Sequence, residues 1–149
     1  MFLDKKIKEL EKLKQEVPKQ AERIVLKSKE RILDLIREDQ LFNKGIDGNG
    51  KKLIAYKPFT VAVKRLEGQP TDRTTLFNKG KFYDGFDLLY TDQNSIGVFS
   101  RDSKTPDLIE KYGKDIFTFT VDNNKIVNEE IVLPQLIEWL LNTPTFTQI

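Results

Sequence analysis

A chain of 149 residues fits one globular domain, and Leu, Ile, Val and Phe fill 48 positions, enough apolar content for most of it to be ordered. Histidine and cysteine are both absent, which excludes Ser-His-Asp and Cys-His catalysis, His- or Cys-ligated zinc, iron-sulfur clusters and disulfides. The net charge of +2 divides unevenly: residues 1–39 carry 11 Lys/Arg and 9 Asp/Glu, residues 40–82 carry 9 and 3, and residues 83–149 carry 5 and 11, giving +2, +6 and −6. A basic middle and an acidic end read as a nucleic-acid face, as complementary faces between identical copies, or as ordinary surface variation. The opening residues show no signal-peptide pattern and no long apolar run follows, so the expectation is a soluble, cytoplasm-made protein without membrane contact.

The first segment has helical spacing, with Leu3, Ile7, Leu10, Val17, Ala21, Ile24, Ser28, Ile32 and Leu35 forming one stripe. Pro18 removes a hydrogen bond and is expected to break or kink it, giving helices near 2–16 and 18–39. The stripe fits either a helix lying on its own sheet or one contacting a neighbouring subunit. Asn43 to Gly50, with three glycines, reads as a mobile loop. Gly45 to Lys51 matches a phosphate-loop spacing, but Lys52 stands where a Ser or Thr must bind magnesium. Asp47 and Asn49 begin like a calcium loop, yet Pro58 occupies the position of the bidentate glutamate.

From Lys51 to Phe82 cations and aromatics alternate. Pro58 to Arg65 reads as either a short helix started by proline or a strand from Val61 and Val63, and Gly68 to Arg73 is a second exposed loop. Loops 43–52 and 66–75 have little to bury by themselves and are expected to be mobile until partners order them. Farther on, 82–90 and 96–100 read as a hairpin around Thr91 to Ser95, and 106–112 as a short helix closed by Gly113. Phe117 to Val121 alternates as a strand that Ile126 to Val132 pairs back on, and Pro134 starts a closing helix with Leu136, Ile137, Leu140 and Leu141. The tail from Thr143 has few helix formers and is expected to fray. The resulting expectation is a single α+β domain over 1–149, with long N-terminal helices in 1–39, an antiparallel sheet of about four strands and a C-terminal helix.

Residues 41–86 also carry a scattered pattern: Leu41-Phe42, Gly48-Asn-Gly50, Ala55-Tyr-Lys-Pro58, Thr60 and Lys64, then Thr75-Leu-Phe-Asn-Lys-Gly-Lys-Phe-Tyr-Asp-Gly-Phe86. This resembles the tail-completion, or virion-morphogenesis, proteins of tailed bacteriophages. In that family an N-terminal helix leads through a glycine, aromatic, Pro and Thr-x-x-x-Lys segment to a Thr-Leu element that enters the sheet. The resemblance covers a third of the chain, and the order outside it, with a hairpin, Tyr112-Gly113 and a last helix, agrees. An Arg-Pro-Phe frequent in the family before the last helix is missing, with Phe117-Thr-Phe119 in its place. What the resemblance implies is a non-enzymatic subunit of a head-to-tail homo-oligomeric ring at the head-tail junction or neck, in contact with portal, neck or tail proteins. The subunit would be assembled in the host cytoplasm and located in the virion, without cofactor or membrane, with DNA in a central channel as a further contact.

The residues themselves point the same way. Carboxylates such as Asp84, Asp87, Asp92 and Asp102 are scattered, and Glu129 and Glu130, read on a strand, face opposite sides, so no catalytic dyad is expected. Lys51, Lys52, Lys57, Lys64, Arg65, Arg73, Lys79 and Lys81 are the expected partner-binding residues, with Lys64 and Arg65 read as exposed charges. The alternative is a small nucleic-acid-binding module in which the aromatics of 51–82 stack bases and the cations neutralise phosphates.

Overall fold

The computed structural model describes residues 1–144. Helix α1 runs unbroken over Phe2–Lys27 and includes Pro18. The expected break at Pro18 does not occur: residues 14–16 are exposed, so water can take the bond of the carbonyl that proline leaves without a partner. The interruption comes at Ser28 instead, whose backbone leaves helical geometry before α2, Lys29–Asp34, begins. From there the chain continues as a wide, π-type turn segment over Leu35–Lys44. Ile32, Leu33, Ile36 and Leu41, all fully buried, are the hydrophobic centre of the molecule.

Gly45 ends this run in the left-handed region at φ 61°, with its N–H on the Leu41 carbonyl and that of Ile46 on the Gln40 carbonyl. A short helix α3, Pro58–Leu66, follows, and resolves the helix-or-strand ambiguity in favour of the proline start. A single turn α4, Lys81–Asp84, precedes strand β1, Phe86–Tyr90, which pairs antiparallel with β2, Ile96–Ser100, from Phe86 opposite Ser100 to Tyr90 opposite Ile96. The expected strand over 82–90 is therefore shorter by its first residues, where the Asp84 N–H bonds the Gly80 carbonyl at 2.8 Å and closes a helical turn. The short helix expected at 106–112 is present as α5, Thr105–Tyr112, followed by a tight 3-10 turn over Lys114–Phe117.

The sheet among the described residues has two strands rather than about four. Both missing strands lie in the last third. Thr120 caps a helix, its hydroxyl accepting from the Asn123 N–H at 3.2 Å, and α6, Val121–Lys125, runs on through a π-type segment, Ile126–Val132, into α7, Leu133–Leu141. Val127 and Ile131 are four residues apart and both buried, a helical period that reads as strand when Asp122-Asn-Asn-Lys125 is taken for a turn. Glu129 and Glu130 accordingly sit exposed on a helix surface and not on opposite faces of a strand. Residues 118–120 are extended, but their partner is a side chain: Gln40 Nε2 donates to the Thr118 carbonyl and Gln40 Oε1 accepts from the Thr120 N–H, both at 2.9 Å.

One contiguous core joins these elements, from Val25 to Ile131. Among the described residues no helix is long and apolar enough to cross a membrane. The expected fraying of the tail falls, from residue 145 on, outside the described residues. Phe86 stands at the middle of the aromatic part of the core, with ring centroids 5.0 Å from Phe82 and 5.3 Å from Phe117. Phe86→Ala should cost about 3–5 kcal/mol, read as a lowered midpoint in denaturant unfolding. An unchanged midpoint would show that Phe86 does not anchor the core.

Candidate interaction site

The residues that carry the 41–86 pattern are partners of one another in space. Tyr56 places its hydroxyl where it accepts from the Thr75 N–H at 2.9 Å and the Leu76 N–H at 3.3 Å. Leu76 is held there at φ 58°, a conformation that is strained for a leucine and persists because these bonds define it. From the other side the Tyr83 hydroxyl donates to the Thr75 carbonyl, and the rings of Phe42, Phe77 and Tyr83 meet edge to face. Burial pushes the ionisation of Tyr83 above the usual tyrosine range.

Lys64, one helical turn after Thr60 on α3, is buried, and its ammonium donates to Gln69 Oε1 at 2.9 Å and to the Phe77 carbonyl while lying 4.8 Å from the Tyr56 ring centre. It therefore ties α3 to the 69–78 loop and is not a surface charge as expected. Arg73 is likewise turned inward, its Nε donating to the Phe42 carbonyl at 2.6 Å. These bonds also change the picture of the two loops. Thr74 is buried with its hydroxyl on the Ile54 carbonyl, and Asp47 is buried with its carboxylate accepting from the Asn49 and Lys51 N–H groups. A Cβ on Gly48 would stand 1.7 Å from Thr118 Oγ1, so this glycine is set by close approach to the 115–118 segment. Asp47, Gly48, Thr74 and Thr75 are thus held by their own domain through polar and backbone bonds, while residues 49–52 and 66–68 of the same segments are exposed.

Beside Lys64 lies a groove of about 490 Å³. Its floor is Tyr56, Leu76, Phe77, Phe82 and Tyr112, and Lys79, Lys81 and Lys104 stand on its rim with Glu67 and Asp102. Of the eight expected partner-binding residues, Lys64, Lys79 and Lys81 meet here, the first as part of the structure and the other two exposed. Lys57 is exposed just before α3 and Arg65 on it, Lys51 and Lys52 are exposed at the end of the glycine loop, and Arg73 is half-buried, with its Nη1 on the exposed Asp72. Phe77, Phe82 and Tyr83 spend their faces on one another and on the core, so they do not form an open stacking row.

Reading by residue type missed the outward face of α3. Phe59 is 80% exposed and Leu66 89%, with Val63 between them one turn from each. The signal was present as an i, i+4, i+7 spacing, hidden by the basic residues around it. Asp87 is tied to Arg101 and Lys29, and the Arg101 contact holds its carboxyl below the usual range. Among the described residues no group of three or more Asp or Glu is placed to hold a metal ion.

Comparison with protein-family models, with characterised proteins and with solved structures finds no match to this chain.

Two outcomes follow from this geometry. Lys64→Glu should destabilise the fold by about 2–4 kcal/mol, because it removes a buried cation and leaves the Phe77 carbonyl facing a carboxylate, whereas Arg65→Glu should stay within about 0.5 kcal/mol of the parent. Thermal melts of the two single variants check this. Tyr83→Phe should cost about 1–2 kcal/mol at neutral pH. Because the folded pKa of Tyr83 is raised, its contribution is complete below the unfolded value, about 10, and is lost as pH rises beyond it. The parent should therefore lose more stability than Tyr83→Phe between neutral and strongly alkaline pH, read by urea midpoints across that range.

Proposed function

We propose that the chain is a non-catalytic structural subunit of a tailed-phage particle, one copy in a ring at the head-tail junction or neck. The observation that carries this reading is the outward face of α3, where Phe59 and Leu66 are almost fully in water beside exposed Lys57 and Arg65. Single exposed apolar residues are ordinary, but a stripe of them on a helix, flanked by charge, is what an assembling surface presents. The helix is also the one that carries the Pro, Thr and Lys positions of the phage resemblance. Two further features support a subunit role. The inner side of α3 is tied to the 69–78 segment by Lys64, and the first half of α1 leaves Phe2, Leu3, Ile7 and Leu10 exposed. Asp87 is engaged in ion pairs with Arg101 beside the hairpin and with Lys29, which joins the hairpin to α2.

A second reading, a module that binds single-stranded nucleic acid, is favoured by the exposed Lys79, Lys81 and Lys104 around one groove. Salt separates the two, since a site with several phosphate contacts loses orders of magnitude in affinity between low and moderate salt.

Purified particles should contain this chain in a fixed ratio to the portal, and a gold-labelled antibody should mark the junction of head and tail in electron micrographs. Particles that lack the chain, or label confined to another part of them, would overturn the proposal. Tight, steeply salt-dependent binding of single strands by the free protein, with no particle association, would favour the second reading.

A further inference from the structure

The two edges of the hairpin differ. Bonds from the Thr91 N–H to the Ser95 carbonyl and from the Arg101 N–H to the Gly85 carbonyl, both 2.8 Å, bracket the strand pair and set its alternation. Asp87 with Phe99 and Leu89 with Gly97 are therefore the pairs that exchange bonds, and Ile96, Val98 and Ser100 turn their backbone groups to the outer edge of β2. On β1 the outward N–H of Leu88 is taken by Asp87 Oδ1 at 2.8 Å, and α1 and α2 pack against the strand. On β2 the Ser100 carbonyl receives the Thr105 hydroxyl, but the N–H and C=O of Ile96 and Val98 have no partner among the described residues. Along that strand lies a groove of about 450 Å³, lined by residues of both faces of β2, by Ile109 of α5 and by Phe117, Thr118 and Phe119. Thr118 and Thr120 are extended, and Gln40 holds the Thr118 carbonyl and the Thr120 N–H. The N–H and C=O of Phe119 consequently point away from Gln40, and they too lack a partner among the described residues. Two of the segments that line the groove thus carry unfilled backbone groups. The charged residues that line it, Lys114 and Asp115, are opposite in sign, so it selects no charge.

We propose that this groove is a strand slot, in which a single extended peptide segment of another protein adds to β2. Backbone donors and acceptors that recur every second residue, about 7 Å apart, match an extended backbone and not a compact small molecule. A helix uses its own backbone groups internally and cannot fill such an edge. Apolar side chains at alternate positions of the segment would meet Val98, Ile109 and Phe117, while the polar ones between them stay in water. The β2 strand of a second copy fits poorly, because it carries its own 117–119 segment along the same groove, and the two segments would compete for one space. The site belongs to the purified chain and does not rest on the proposed ring.

The probe is a displayed library of random heptapeptides selected on the immobilised full chain. Enriched peptides should alternate apolar and polar residues. The tightest of them, synthesised, should slow hydrogen exchange at the Ile96 and Val98 amides by about tenfold or more, followed by NMR. Two further peptides, each methylated on the amide nitrogens of one alternate set of residues, leave the protein untouched. The one that loses the donors facing β2 should bind about tenfold more weakly or worse. Val98→Pro should weaken the parent peptide in the same way, because it removes an outward donor and no bond to β1. A melting curve shows whether that variant keeps its fold, and if it does not, the methylated peptides decide the matter. No enrichment, protection confined to other amides, or full affinity of both methylated peptides would each overturn the proposal. Protection of the Ile96 and Val98 amides on raising the concentration of the chain alone, with a dimer in sedimentation, would give the edge to a second copy and overturn it as well.

Discussion

The structure depends on one buried side chain, Gln40. Its amide is fully enclosed, and it accepts from the Thr120 N–H and from Asn123 Nδ2 while donating to the Thr118 carbonyl. Asn123, itself buried, also donates to the Leu35 carbonyl and to Asp39. These bonds join segments some eighty residues apart, and they satisfy backbone groups of an extended stretch that has no neighbouring strand. An unpaired amide in that position would carry the full cost of its lost hydration, so the network holds only if both segments arrive in register. Among the described residues no buried side-chain nitrogen or oxygen lacks a partner, which is the condition such a centre requires.

Around this centre the division of labour between residues differs from their chemical types. Lysine and arginine are mostly surface groups, yet Lys64, buried, and Arg73, half-buried, are used as ties, each donating to a backbone carbonyl of a loop or helix end. Phenylalanine and leucine are mostly internal, yet Phe59 and Leu66 stand in water. Both inversions occur within residues 41–86. Lys64 ties the 69–78 segment to α3 without a large apolar core, and Phe59 and Leu66 on the other side of the helix are left in water. The charge segregation seen along the chain has the same structure in space: after Lys64 and Arg73 are set aside, the remaining cations of 40–82 lie on α3, the glycine loop and the groove rim, and the glutamates of the closing helices are exposed.

Much of the local structure was written in local signals. Helical spacing marked residues 2–39, proline and Gly113 bounded 105–112, and the polar residues of 91–95 marked the hairpin turn, because in each case the deciding interactions lie within a few residues. The site was legible in composition, as a basic segment at 40–82, but not in which cations point outward, since Lys64 and Arg65 are adjacent in sequence and opposite in fate.

The sequence by itself determined the mixed helix and sheet content, the long first helix, the closing helix and the absence of thiol and imidazole chemistry, all of which rest on period, caps or composition. Tertiary structure alone decided the rest. Phe117 to Val132 has enough alternation for two strands, but it became a turn and a helix because Gln40 supplied the partner that a strand would have needed and Thr120 capped what followed. In glycine-rich 43–52, Gly48 and Asn49 are set against Thr118 and Asp115. In both places the deciding atoms come from far along the chain, and pattern along a sequence carries no record of which distant groups will arrive to complete a hydrogen bond.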